Sequence, residues 1–223
     1  MEQHLKILMV DDHPMIIEGY QMTLVATKKP HQHLDIDIAH DCDMANQLIR
    51  KAADNEPYDV LFFDISLPAS KDGLITSGED LAKIARVYLP DAKVIILTMF
   101  NESFRILNII KEINPEGLLI KSDLTSSELA EAFQHILYSP PYYSSTVSTF
   151  LNTTITSDIY LDETNRKILH LLSQGVKTKT LKEHIDLSMS AIEKRKKHLK
   201  LLFDVEDGKD ETLLKEARIK GFL

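Results

Sequence analysis

The chain has 223 residues, 43% of them apolar, and its 34 acidic against 26 basic side chains give a net charge of −8. That length suits two domains with buried cores. No apolar run nears the roughly 20 residues that span a bilayer, and the N-terminal MEQHLKILMVDD lacks an export signal's apolar core and cleavage site. With a lone Cys42 that has no internal disulfide partner, a soluble protein of a reducing cytoplasm is expected.

Residues 1–138 alternate between short apolar runs and helix signals. The run KILMV leads into Asp11 and Asp12, and a helix begins at about Pro14. A strand near 34–39 precedes a helix from about Asp43, with Cys42 expected to be a small, inert residue near its start. The strand 59–63 ends at Asp64, and a helix follows from about Ser77. Strand 93–97 leads into Thr98 and a helix from about Glu102; strand 117–120 leads into Lys121 and a helix from about Thr125. Apolar runs of four or five residues bounded by loops read as buried parallel strands. Five βα units with right-handed crossovers predict a flavodoxin-like α/β fold, a doubly wound five-stranded parallel sheet with helices on both faces.

A Ser, Thr, Tyr and Pro-rich stretch, SPPYYSSTVSTFLNTTITSDIY at 139–160, then breaks the pattern, and 139–157 is expected to be a linker. Beyond it, 158–223 reads as a small all-α domain. LDETNRKILHLLSQG at 161–175 is an amphipathic helix ended by Gly175; TKTLKEHI at 178–185 is a short helix for which Thr178 is the candidate cap; LSMSAIEKRKKHLKLLF at 187–203 is a longer one capped by Ser188. This is a helix-turn-helix pattern. On the third helix Ile192, Leu199, Leu202 and Phe203 share one side, with Ser190, Lys194 and Lys197 opposite and Glu193 and His198 at the flanks.

Charge divides along the same boundary. Residues 1–138 hold 22 acidic and 12 basic side chains, a net of −10, whereas 139–223 hold 12 and 14, a net of +2. Within the latter, 166–200 carry ten basic against three acidic residues. An acidic module joined to one basic helical element suggests a nucleic-acid reader under a regulatory domain.

The polar residues after four of the strands meet at the sheet edge where α/β folds bind ligands. Asp11, Asp12 and Asp64 offer hard oxygen ligands suited to Mg²⁺. Asp64 also suits a nucleophile toward phosphorus, which needs a metal on one side and a cation such as Lys121 on the other, with the Thr98 hydroxyl as donor.

DDHP at 11–14, Asp64 followed by Leu67-Pro68, LT at 97–98 and LLIK at 118–121 resemble the receiver domain of two-component response regulators across the whole of 1–138. That resemblance implies phosphorylation of Asp64 by a sensor histidine kinase, Mg²⁺ held by Asp11, Asp12, Asp64 and the backbone carbonyl of Ser66, and phosphoryl contacts from Thr98 and Lys121. Residues 158–223 resemble the LuxR-type, or NarL/FixJ-type, output domain, which implies double-stranded promoter DNA as partner and a homodimer on activation. On that pattern Ser190, Lys194 and Lys197 face base edges, Glu193 accepts from a cytosine amino group, and Thr178, Lys179, Lys182, Arg195, Lys196 and Lys200 face phosphates.

The chain departs from these families in places. The loop 65–78 is long, Met99 stands where many receivers have a small residue, and Leu118 stands where many have Tyr or Phe. Asn165, Glu193 and Arg195 replace commoner Glu, Lys and His in the output domain, and 206–210 is a small insertion. A phosphohydrolase is disfavoured because Ser66, two residues after Asp64, offers no general acid. The other reading is a DNA-binding or protein-interaction regulator that works without phosphorylation.

Overall fold

A computed structural model describes residues 2–99, 103–156, 161–220 and 222–223. The chain divides into two compact units, residues 1–101 with 109–147, and residues 102–108 with 148–223. No helix among the described residues is long and apolar enough to cross a membrane.

Along residues 1–138 the elements run β1 (Gln3–Val10), α1 (Pro14–Thr27), β2 (Gln32–Ala39), α2 (Cys42–Asp54), β3 (Val60–Asp64), α3 (Gly78–Tyr88), β4 (Lys93–Thr98), α4 (Ser103–Ile113), β5 (Gly117–Ile120) and α5 (Ser126–Tyr138). These five strands form one parallel sheet in the order 2-1-3-4-5. Every residue of β3 is buried, as expected of a central strand covered on both faces. Local signals set the helix starts. Pro14 occupies the first turn of α1, Asp41 accepts from the Met44 N–H at 2.7 Å to cap α2, and Thr125 accepts from the Glu128 N–H at 3.1 Å to cap α5. Under the sheet Ile7, Met9, Phe62, Ile95 and Leu119 pack against Ile17 and Leu24 of α1 and Leu129, Phe133 and Ile136 of α5. Filling such sites is worth about 2–5 kcal/mol per Leu or Ile against Ala.

The sheet corrects the expected count of five strands. A sixth, β6 (Tyr142–Tyr143), pairs with β5, its Tyr142 N–H donating to Glu116 O at 2.9 Å. It lies in the stretch read as a linker, which also contains α6 (Ser145–Thr156). Two residues are too short for a periodicity signal, and α6 is built largely of Ser, Thr and β-branched residues, which propensity disfavours in helices. Val147 and Phe150 are buried on it, so packing overrides propensity.

The second unit contains α7 (Glu163–Ser173), a 3₁₀ segment (Thr178–Glu183), α8 (Met189–Leu202) and α9 (Asp210–Ile219). Asp162 caps α7 by accepting from the Asn165 N–H at 2.7 Å, and Ser188 caps α8 by accepting from the Ala191 N–H at 3.3 Å. Gly175, at φ +83°, takes the left-handed turn after α7 that a side chain would strain. Thr178 does not cap. Lys177 precedes the 3₁₀ segment without a side-chain cap bond, and the Thr178 hydroxyl is used otherwise, as described below. Ile168, Leu169, Leu181, Ile192, Leu199, Phe203, Leu213 and Phe222 form the core, with the Phe203 and Phe222 rings edge-on at 5.3 Å. The apolar stripe expected on α8 is thus the buried one, although Leu202 is only half-buried.

Candidate functional site

The sheet order reverses between β1 and β3, so the chain leaves these neighbouring strands in opposite directions and opens a crevice at their carboxyl ends. Register fills it. Val10 pairs with Phe63, which sets Asp11 beside Asp64; Asp64 pairs with Leu97, and Thr98 with Ile120, which brings Thr98 and Lys121 alongside. Asp11 and Asp64 are each 1% exposed and Thr98 is fully buried.

Lys121 bridges the two buried acids, with Nζ 2.7 Å from Asp11 Oδ2 and 3.1 Å from Asp64 Oδ2. The second Asp11 oxygen accepts from the His13 N–H at 3.0 Å. The other Asp64 oxygen, Oδ1, is buried and has no hydrogen-bond partner, as does Asp12 Oδ1; the His13 ring nitrogen lies 2.7 Å from the latter, outside hydrogen-bond geometry. Buried carboxylate oxygens are rarely left so without a cation to receive them. Ligand atoms of Asp11, Asp12, His13 and Asp64 all lie within 4.8 Å of one another. Burial pushes the Asp64 carboxyl above its ordinary range; Lys121 opposes this, Asp11 adds to it, and a hydrogen bond from the Ser66 N–H partly offsets it.

The pocket also involves residues that the sequence reading did not single out. A Cβ on Gly78 would lie 1.9 Å from Asp64 O, so only glycine lets the start of α3 close over the end of β3. Its signal was available as the glycine that ends the long 65–78 loop. Tyr20 on α1 has its phenol pKa raised by burial and then by the fields of Asp11 and Asp64. Met99, by contrast, is 62% exposed, whereas Leu118 is fully buried.

The second unit sorts the residues assigned to DNA. Ser190, Glu193, Lys194 and Lys197 on α8 are exposed, as are Lys179 and Lys182 on the 3₁₀ segment. Lys196 is not. It is 5% exposed, and its ammonium donates to Thr178 Oγ1 at 2.6 Å and Asp210 Oδ2 at 2.7 Å. Lys200 ion-pairs with Asp210 at 2.7 Å and donates to Gly208 O. Arg195 donates to Asp162 Oδ2 at 2.6 Å and to Asn165 Oδ1 at 3.1 Å. Thr178, Lys196, Arg195 and Lys200 are therefore engaged within the unit, and a helix-wheel reading could not separate this from phosphate contact because the acidic partners of the three cations lie on other elements.

A doubly wound sheet with an acidic pocket at its switch point, and a helix-turn-helix unit with an exposed polar helix, are the two folds expected from the resemblance to NarL/FixJ-type response regulators. No protein-family model matches the chain. It is 25% identical over 208 residues to the oxygen regulatory protein NreC of Staphylococcus epidermidis, covering 87% of this chain and 89% of that one. The NreC of Staphylococcus carnosus is likewise 25% identical, over 207 residues. Among solved structures, RcsB dimers bound to two parallel DNAs superpose with a TM-score of 0.63 at 22% identity, covering 97% of this chain and 98% of that one. The isolated receiver domain of RcsB from Salmonella enterica serovar Typhimurium, with the phosphomimetic BeF3−, aligns over 66% of this chain and 98% of its own with a TM-score of 0.53.

Proposed function

We propose that this chain is a cytoplasmic DNA-binding transcriptional response regulator of a two-component system, with phosphorylation at Asp64 controlling dimerisation and promoter binding. The supporting observation is the Asp64 carboxylate itself, which is buried at the switch point with one oxygen facing Lys121 and the other without a partner. That unpaired oxygen suits attack on phosphorus. In the transfer from a sensor histidine kinase, an Asp64 oxygen forms the new P–O bond as the bond between phosphorus and the kinase histidine nitrogen breaks. Lys121, already within 3.1 Å of Asp64, balances charge on the phosphoryl oxygens, and the buried Thr98 hydroxyl donates to one of them.

The partnerless Asp64 Oδ1 and the Asp11 and Asp12 carboxylates beside it fit a hard divalent cation. Asp12 and Asp64, with Asp11 and the Ser66 carbonyl, would hold Mg²⁺, which when bound supplies positive charge opposite Lys121. We assign the receiver function to 1–138 and DNA binding to 158–223, with 139–157, including β6 and α6, as the connection. Ser190, Glu193, Lys194 and Lys197 would meet base edges, and Lys179 and Lys182 phosphates, on two half-sites read by a dimer.

Asp64→Asn tests the assignment. Incubated with acetyl phosphate and Mg²⁺, the native chain is expected to take up label and the variant to take up none; label at the same level in the variant rejects Asp64 as acceptor. A DNA-binding role without phosphorylation is favoured by one observation, the buried Leu118 in place of an aromatic. Equal promoter affinity with and without beryllofluoride would select it.

A further inference from the structure

Lys121 opens a single 3₁₀ turn, Lys121–Asp123, and the two ends of that turn face different partners. Lys121 enters the acid pocket. Asp123 turns to the start of α6, where Oδ2 accepts from Ser144 Oγ at 2.6 Å and from the Thr146 N–H at 3.0 Å, while Oδ1 accepts from Thr146 Oγ1 at 2.8 Å. Ser144 is fully buried. Its N–H donates to Leu118 O at 3.1 Å, and its hydroxyl oxygen accepts from the Ile120 N–H at 3.1 Å. The residue before Lys121 and the residue two after it are thus both bonded to Ser144, which immediately precedes α6.

We propose that Asp123, Ser144 and Thr146 form the coupling between the phosphoacceptor pocket and α6, with Asp123 as the positioning residue that converts displacement of Lys121 into displacement of the helix. This rests on the reading of Asp64 as the phosphorylated residue. Lys121 and Asp123 lie in the same three-residue 3₁₀ turn, so a shift of that turn as Lys121 engages a new anion carries the Asp123 carboxylate with it. That carboxylate satisfies a backbone donor in the first turn of α6, where negative charge is favoured. Although burial pushes the Asp123 carboxyl upward, donors from Ser144, Thr146 and Ser145 hold it below its ordinary range, so it stays charged at neutral pH. The route uses the backbone carbonyl of Leu118 and not its side chain, which has no ring or hydroxyl to rearrange.

The test uses the full-length chain and two readouts, labelling by acetyl phosphate with Mg²⁺, and the gain in self-association and promoter affinity on adding beryllofluoride. Asp123→Ala is expected to label at the native rate while its beryllofluoride gain falls by about tenfold, the size of an ordinary coupling energy. Asp123→Asn, which keeps one acceptor oxygen, should recover part of the gain. An Asp123→Ala protein that labels normally and keeps the full gain overturns the coupling, and so does one that folds but no longer labels, since Asp123 would then serve the chemistry. If Asp123→Ala fails to fold by circular dichroism, Thr146→Val decides by the same two readouts. Absence of any gain in the native chain would instead reject phosphorylation control itself, and this is seen before any variant is made.

Discussion

Asp64 is 1% exposed with Asp11 beside it, so its ionised form lacks both solvation and freedom from a like charge, and Lys121 compensates only in part. A carboxyl whose folded pKa is raised contributes stability below its unfolded pKa and loses it as pH rises through the folded one. At neutral pH Asp64 is therefore a destabilising group held in place by the rest of the fold, as expected of a residue kept for chemistry. In EDTA, Asp64→Asn should unfold at a higher temperature than the native chain at pH 7, by about 2–4 °C for each kcal/mol relieved, and the difference should shrink as pH falls through the carboxylate range. Differential scanning calorimetry at pH 7 and pH 4.5 measures this, and a lower midpoint for the variant at pH 7 contradicts it. The opposite case is Cys42, whose thiol burial and then the neighbouring Asp41, Asp43 and Asp80 push up to about 11. It stays protonated and inert, in keeping with a packing role at the start of α2.

At the scale of elements, one carboxylate joins α7 and α8 of the second unit. Asp162 caps α7 and also receives Arg195 from the second turn of α8. Losing the cap costs about 0.5–2 kcal/mol, and a partly exposed ion pair adds about 0.2–1 kcal/mol. In urea denaturation Asp162→Ala should thus lose about 1–2 kcal/mol, Arg195→Ala less, and the double variant less than the two combined, because they share a bond. Full additivity would mean that Arg195 acts elsewhere, on DNA for instance. This pairing also shows where the sequence stops being legible. Strand-end acids, Thr98 and Lys121 could be placed from chain order because a parallel sheet in fixed register brings consecutive strand ends together whatever the loops do. Asp162 and Arg195, or Asp123 and Thr146, meet across turns whose geometry no residue pattern encodes. For the same reason α6 and β6 stayed hidden: they are held by Val147, Phe150 and the free edge of β5 rather than by their own propensity.

Across the whole molecule the charge distribution decides how binding to DNA should respond to salt. The chain is acidic overall, at −8, and residues 166–200 carry its cationic excess. Counting those charges overstates the phosphate-facing set, since Lys196 is enclosed by Thr178 and Asp210 while Arg195 and Lys200 are paired with Asp162 and Asp210. Each phosphate neutralised contributes about 0.9 to the slope of log affinity against log salt concentration. Neutralising Lys179 and Lys182 together, the exposed pair assigned to phosphates, should therefore weaken promoter binding and flatten that slope by about 1–2. Lys196→Met should leave the slope unchanged while altering stability, because the charge it removes lies inside the unit and replaces a satisfied bond with an unpaired Thr178 hydroxyl. Fluorescence anisotropy on promoter fragments from about 50 to 200 mM salt separates the two cases. A slope lowered equally by Lys196→Met would place that ammonium at the DNA and would require α8 to unlock from α9 on binding.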